Sequence, residues 1–352
     1  MFVREDFRRD GLAANFLADD QLISIVSKLL EGSRINIGYP AICQREYEAC
    51  SRILSNSQND STELCVVGHA REEHLDAMSI IIKNHKNVSA NSWIPISDYF
   101  LDQTVRVNPR EAYTGLKSLI QKWKDRSDKP FDIAFADCTS DESGLPERIF
   151  QWSEYCLNNG VRNIIVCDSR GIGEPAKIEE IFDSLKMFGN RIEFHPHDDN
   201  GRALENVGIA LSRGVEIIGT AFYRSGERLT MIDPRELRQY GLAFNDQYYG
   251  EFERQFMQKI GHPKIVLESV LGKDKVVTGS QFRLRNRDKV LKIVFGVTSD
   301  VHIASQILGE RISKEKLADI KNTFLYDEKR LCLEPPELIA CYNSIQEEIC
   351  PV

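Results

Sequence analysis

Arg191-Ile192-Glu193-Phe194-His195-Pro196-His197-Asp198-Asp199-Asn200-Gly201 joins a short apolar run to the start of a helix. Alternate residues of a strand point to the same side, so His195 and His197 share one face. Two imidazoles so placed can bind one divalent ion together. The bland alternative is a turn with two surface histidines; the clustering of Asp198 and Asp199 at the strand end weighs against it. A hard cation such as Mg²⁺ or Mn²⁺ also wants a carboxylate and water. The best remote candidate is Asp10, in Arg8-Arg9-Asp10-Gly11 just after the first apolar run, although an isolated R-D-G is usually a turn.

Working outward, short apolar runs alternate with amphipathic stretches. Strands are expected at 2–7, 34–37, 64–67, 88–96, 131–136, 163–167, 191–195 and 215–219. Helices fall between them, one capped by Asp19-Asp20, one starting at Pro109 and running to about 124, and one from Pro175 stopped by Gly189. Eight such alternations predict a (β/α)₈ TIM barrel rather than a doubly wound sheet. In a barrel the histidine segment lies at the C-terminal face, where active sites sit, and only strand eight separates strand seven from strand one. Beyond about 246 the alternation fails. The stretch 295–324, with Ser313 as a cap, reads as helical. The expected domains are therefore a barrel over 1–245 and a smaller, mainly helical C-terminal subdomain over 246–352.

Composition narrows the classes. The 352 residues carry a net charge of −8, against the basic excess of a nucleic-acid binder. The one basic cluster, Arg283, Arg285, Arg287, Lys289 and Lys292, suits either phosphate contact or a solvated face. Nothing approaches a membrane span, and the first ten residues lack an apolar leader core. Nine cysteines show no C-x-x-C spacing, and several lie in apolar runs. That pattern suits reduced core thiols and a cytoplasmic protein without membrane partners.

The segment H-P-H-D-D-N-G-R-A-L-E-N, from His195 to Asn206, resembles the H-x-H-N-D-x-G-x-A-x-A-N signature of the DRE-TIM metallolyases. This superfamily includes 2-isopropylmalate, homocitrate and citramalate synthases and hydroxymethylglutaryl-CoA lyase. Further partial matches occur in family order: Glu5 to Gly11 with D-x-T-L-R-D-G, Ile35 to Pro40 with I-E-x-G-F-P, Cys167 to Gly171 with D-T-x-G, and Thr220 to Arg228 with T-x-x-G-x-G-E-R. The resemblance implies Asp10, His195 and His197 as ligands of a divalent metal (Mg²⁺, Mn²⁺ or Zn²⁺). It makes Arg9 the catalytic group that steadies developing negative oxygen, and places Thr220 at the pocket floor. It casts Asp199 and Asn206 as braces of the histidine loop, and Glu227 with Arg228 as an ion pair ordering the loop after strand eight. The implied reaction is a Claisen-type condensation of acetyl-CoA with a 2-oxo acid, giving a 2-hydroxy dicarboxylic acid and CoA, in a homodimer.

The departures from the pattern matter. Asn36 replaces a glutamate that supports arginine and substrate, keeping hydrogen bonding without charge. Arg224 replaces a glycine at the mouth, where it would either recognise an anionic substrate or obstruct the usual one. Ala13 replaces a glutamine, and Leu229 to Met231 lacks the metal-binding asparagine of the lyase branch. No C-terminal H-x-S-G-I-H is present; His262 and His302 read as surface or capping residues. Gly272-Lys273-Asp274-Lys275 weakly matches a post-barrel G-K-x-S-G, whose lysines would meet CoA phosphates. Two competing readings stay open. One is a carbon–carbon lyase or aldolase on the same metal, although no Gly-Gly-Cys loop occurs and no biotin-carrying domain is evident for a carboxyltransferase. The other is a barrel that has lost catalysis and binds a metabolite or protein.

Overall fold

The computed structural model describes residues 1–12, 18–57, 61–226, 231–259, 275–277, 291–325 and 331–349. Eight parallel strands close into a barrel in sequence order. They are β1 (Phe2–Glu5), β2 (Arg34–Gly38), β3 (Glu63–His69), β4 (Val88–Pro95), β5 (Phe131–Ala136), β6 (Ile164–Asp168), β7 (Ile192–Pro196) and β8 (Ile217–Thr220). β8 returns to β1, with Phe2 opposite Ile217 and Glu5 opposite Thr220. The expected TIM barrel is the observed fold.

Outward residues of the strands meet apolar faces of the helices in one core. Phe194 packs edge-on to Phe182 of α8 (Pro175–Leu185), and Phe131 stacks on Trp123 of α6 (Pro109–Lys124). Helix starts follow local chemistry. Asp19 accepts a hydrogen bond from the Leu22 amide at the head of α2 (Asp20–Leu29), and Asn108 with Glu111 forms a capping box on α6.

Inward residues at the N-terminal end are charged. Arg4, Arg34 and Arg162 interleave with Glu63, Asp132 and Glu193. Arg4 sits 2.7 Å from Glu193 and 2.6 Å from Asp132, and all three side chains are buried. This ionic layer fills the barrel below the site.

Several sequence expectations shift. The first strand stops at Glu5, because the Glu5 carboxylate accepts the Phe7 amide and Asp10 N–H bonds to Asp6 C=O, winding 7–11 into a helical turn, α1 (Phe7–Gly11). The expected helix after Pro175 ends at Leu185, and the chain runs on in 3₁₀ turns through Gly189 at φ +57°. Within 295–324, Phe295–Gly296 pairs antiparallel with Cys332–Leu333 before the helices Val301–Leu308 and Lys314–Phe324; Ser313 caps the second, accepting from the Lys316 amide. The helix α10 (Tyr249–Gln258), beyond the expected boundary at 245, packs Phe252 and Phe256 against Phe222 and Tyr223 in the barrel core. No helix among the described residues is long and apolar enough to cross a membrane.

The C-terminal elements lie over the mouth near β1 to β3. Phe295, Val297, Ile320, Leu325, Leu333 and Leu338 form one buried cluster with Leu12, Tyr39 and Val67. The Arg45 guanidinium donates to the Leu325 carbonyl (2.8 Å), tying α3 (Gln44–Asn56) to this cap.

Candidate active site

At the C-terminal mouth lies a cavity of about 520 Å³. Arg9, Asp10, Asn36, His195 and His197 line one end of it. The helical turn α1 presents Arg9 and Asp10 and is fixed from behind by a fully buried ion pair. Arg8 donates two hydrogen bonds to Glu46 (2.9 and 3.2 Å), and Glu46 also accepts the Tyr39 amide. A bulge aims β2: its register against β3 shifts between Asn36 and Gly38. Gly38 holds φ +135°, and a Cβ there would stand 2.0 Å from Glu46 Oε1, so a side chain is excluded.

The centre of the site is Asp6, which the sequence reading passed over. Its Oδ1 accepts Arg9 Nε at 2.8 Å and the Asn36 side-chain amide, and its Oδ2 lies 3.3 Å from His195 Nδ1. Burial alone would raise this carboxyl. Arg9, His195 and the Asn36 amide outweigh it and hold the group well below the usual carboxylate range. Asn36 Oδ1 in turn accepts Arg4 Nη1 at 3.4 Å, linking the site to the ionic layer beneath. The charge lost at position 36 thus has a counterpart at Asp6. Its signal in the sequence was a third acidic residue in the Glu5-Asp6-Phe7-Arg8-Arg9-Asp10 run.

Arg9 also lies 3.0 Å from Asp10 Oδ1, 3.4 Å from His195 Nε2 and 3.2 Å from the Tyr39 hydroxyl. The His195 and His197 rings are 5.4 Å apart. Among the described residues no three His, Cys, Asp or Glu side chains are drawn close enough to hold a metal as they stand, and the Arg9 guanidinium lies between Asp10 and His195. The donor set nevertheless fits a divalent cation. Two imidazoles and Asp10 face one cavity, Asp6 and Asp10 exceed Arg9 by one negative charge, and Asp6 on Nδ1 leaves Nε2 of His195 toward the cavity.

The remaining sequence candidates among the described residues lie outside this lining. Thr220 is fully buried and donates its hydroxyl to Glu5. Burial pushes the Glu5 carboxyl up to about 8, against the Thr220 and Phe222 hydrogen bonds that lower it. Arg224 pairs with Asp198 and, at 2.9 Å, with Glu236. It fastens the histidine loop to the segment after β8 instead of facing the cavity. Asp199 packs against Gly171, where a Cβ would stand 2.4 Å from its backbone nitrogen. The Asn206 side chain donates to the Gly173 carbonyl (2.8 Å). Both residues therefore sit where the loops after β6 and β7 meet. Glu227, Arg228, Ala13, His262 and Gly272 to Asp274 lie outside the described residues, as do 283–289. His302 is exposed at a helix start, its amide capped by Asp300 (2.9 Å).

The cavity wall adds groups that sequence motifs did not single out. His69 ends β3 beside Trp93 and His74, with ring centroids 5.2 and 4.7 Å away. Burial, with His74 and Arg71 adding to it, pushes His69 down to about 3, so it is a neutral hydrogen-bonding ring at physiological pH. Arg71, Thr298 and Asp300 complete the rim.

The closed barrel, together with the family match and the relatives that follow, places the chain in the DRE-TIM metallolyase superfamily. Within it the chain belongs to the HMGL-like family, whose sequence model matches residues 9–232. It is similar to the homocitrate synthase of Saccharolobus islandicus, 26% identical over 224 residues covering 62% of this chain and 47% of that protein. The homocitrate synthase AksA of Methanopyrus kandleri is 24% identical over 244 residues, 65% of this chain and 57% of that one. The chain thus spans about half the length of the curated relatives it matches. In fold it is similar to an HMG-CoA lyase from Acinetobacter baumannii in complex with coenzyme A and 3-methylmalate, with TM-score 0.59 and 16% identity, over 82% of this chain and 97% of that one.

Proposed function

We propose that the protein is a metal-dependent acyltransferase that condenses acetyl-CoA with a 2-oxo acid to give a 2-hydroxy dicarboxylic acid and CoA. The observation that carries this reading is the convergence of Arg9, Asp10, His195 and His197 on one end of a single cavity. Similarity to homocitrate synthases supports condensation, and the coenzyme A in the lyase relative supports an acyl-CoA substrate. In the reaction the acetyl methyl group gives up a proton and bonds to the keto carbon, the keto oxygen takes a proton, and water cleaves the thioester.

A divalent ion (Mg²⁺, Mn²⁺ or Zn²⁺) on Asp10, His195 and His197 would supply Lewis acidity toward the oxygens of the 2-oxo acid. Arg9, held by Asp6, offsets negative charge growing on the keto oxygen from a fixed position, so little reorganisation is needed. Arg71 at the rim offers a cation to a carboxylate or to CoA phosphate. His69, neutral and partly enclosed, can orient a substrate oxygen without adding charge. Asp6 holds His195 by Nδ1 and so fixes which ring nitrogen faces the cavity. Asp6→Asn should therefore weaken Mn²⁺ binding and lower kcat, each by about 10–100-fold. A metal titration matching the parent protein would remove Asp6 from this role.

The direct test supplies Mg²⁺ or Mn²⁺, acetyl-CoA and a panel of 2-oxo acids, and follows CoA release and product mass. Metal-dependent release is expected, with a product heavier than the 2-oxo acid by the elements of acetic acid, the acetyl unit plus the water that cleaves the thioester. No release from any acid, in protein that binds Mn²⁺, overturns condensation; cleavage of a 3-hydroxyacyl-CoA by the same protein would put a carbon–carbon lyase in its place.

A further inference from the structure

The underside of the barrel holds a second cavity, of about 500 Å³, that the reaction at the mouth does not use. It is an open cup at the N-terminal ends of the strands. On β6 the side chains of Ile165 and Cys167 line the mouth cavity, so Asn163, on the same alternation, points into the barrel from its base. On β7 the same alternation sets Arg191 below Glu193 and His195. Asn163, Arg191, Arg34, Arg162, Phe2 and Ile217 are the side chains that shape the cup. Two of them, Arg34 and Arg162, belong to the ionic layer, which forms its floor.

Three of these groups have donors to spare. Asn163 is only 4% exposed, and among the described residues nothing hydrogen-bonds to its side chain. A buried amide in that state costs stability, which a polar occupant would recover. Arg34 hydrogen-bonds to Glu193 through Nη1 alone, leaving Nη2. Arg191 donates through Nε to the Arg162 carbonyl (3.1 Å). Through Nη2 it donates to the Leu157 and Val161 carbonyls (3.1 and 2.6 Å) at the end of α7 (Leu145–Asn158), leaving Nη1. Arg162 differs, because Glu63 and Asp132 hold its Nε, Nη1 and Nη2.

Charge points the same way. Within the layer Arg4, Arg34 and Arg162 balance Glu63, Asp132 and Glu193. Arg191 adds a further cation, and among the described residues no carboxylate pairs with it. The only carboxylate lining the cup is that of Glu216, exposed at the rim, where water and salt screen it. The cup therefore favours negative charge. Its remaining wall is apolar: Val3, Val161 and Ile217 are buried, and the Phe2 ring is 45% exposed. Guanidinium arms with an amide suit the oxygens of a carboxylate or phosphate, and the apolar wall suits a body attached to them. The volume lies within the roughly 300–1,000 Å³ typical of small-molecule sites.

We propose that this cup binds a small organic anion, a carboxylate or a phosphate ester with an apolar body. The acid group meets Arg34, Arg191 and Asn163, and the body lies on Phe2 and Ile217. The site is separate from the mouth and does not depend on the reaction proposed there.

The test is calorimetric titration of the full chain at low salt with benzoate, phenyl phosphate and inorganic phosphate. Arg9 at the mouth can bind the same probes, so variants locate the site. Arg9→Ala alters the mouth, Asn163→Leu removes the amide, and Asn163→Asp puts a carboxylate in the cup. Neither change at 163 breaks a side-chain hydrogen bond among the described residues, so both variants should fold. The parent should bind benzoate or phenyl phosphate at a site that Arg9→Ala leaves unchanged, and the tighter of the two identifies the acid group. Asn163→Leu should weaken that binding about tenfold, and Asn163→Asp about tenfold further. Inorganic phosphate should bind about tenfold more weakly than phenyl phosphate, for want of apolar contact. The tighter probe should also slow modification of Arg191 by phenylglyoxal, mapped by mass spectrometry. No saturable binding by the parent, binding lost in Arg9→Ala, or binding unchanged in Asn163→Asp overturns the proposal. Inorganic phosphate binding as tightly as the organic probes overturns it as well.

Discussion

His197→Ala is expected to strip the protein of divalent metal, from about one ion per chain to near none, and to lower turnover by about a thousandfold or more. The barrel should survive. The His197 backbone amide donates to the Asp168 carbonyl (3.2 Å), and its backbone bridges to Met231. Alanine keeps both. The lost ring leaves a small cavity at the mouth, and the melting temperature should move by only a few degrees. Arg9→Ala separates the two functions of the cluster. It should leave metal bound, because it removes a competing cation from beside Asp10 and His195. It should still cost about 10²–10³ in kcat, as loss of a preorganised charge-stabilising donor does. Elemental analysis of dialysed protein, read beside kcat, decides the matter. Equal metal in His197→Ala and parent protein would sink the ligand assignment.

The distance between sequence and structure is uneven along this chain, for physical reasons. The barrel was legible because most of the strands are short, largely apolar runs between amphipathic helices, and the 2.0 and 3.6 periods seldom imitate each other. The inner residues were harder. Arg4, Asp132 and Glu193 interrupt apolar runs and give no local sign that they meet, since 128 and 189 residues separate Arg4 from its partners. That the histidine pair and Asp10 would line one cavity was legible because i and i+2 on a strand face together and β1 and β7 flank β8. Asp6 was missed because its role depends on a helical turn beginning one residue after β1, where the sequence suggested continued strand. Arg224 read as a cation at the mouth, yet it turns back to Glu236, twelve residues on in a segment without strong periodicity. The detour at 98–107 went unassigned altogether. A three-residue helical turn followed by one π turn lacks the length for any period to emerge, and its left-handed Arg106 is not a residue that announces such a conformation.

Arg4→Met is expected to destabilise the protein by about 3–5 kcal/mol, more than any substitution at the mouth. Arg4 is buried and donates to Glu193 through Nε and Nη2 and to Asp132 through Nη2. Methionine fills much of the space but leaves two buried carboxylates short of a cation. Arg34 and Arg162 remain on the other sides of the layer, which keeps the loss finite. Its pH dependence carries a definite sign. Burial would raise Asp132, but Arg162 and Arg4 outweigh it and hold it well below the usual range; Glu63 is lowered in the same way, chiefly by Arg162. Carboxyls depressed in the folded state add stability above their unfolded values, near pH 4, and lose it as pH falls toward the folded ones. The parent should therefore lose stability as it is acidified below about pH 4. In Arg4→Met, Asp132 has less depression to lose and protonation relieves the unpaired charge. The gap between the two proteins should be widest near pH 7 and narrow by pH 3, measured by urea unfolding across that range. Adding Glu193→Gln to Arg4→Met should recover part of the loss at pH 7, because it removes one of the stranded charges. A gap independent of pH, unchanged by the second substitution, would mean that Arg4 acts by filling space and not by neutralising the layer on which Asn36, Asp6 and the site above them rest.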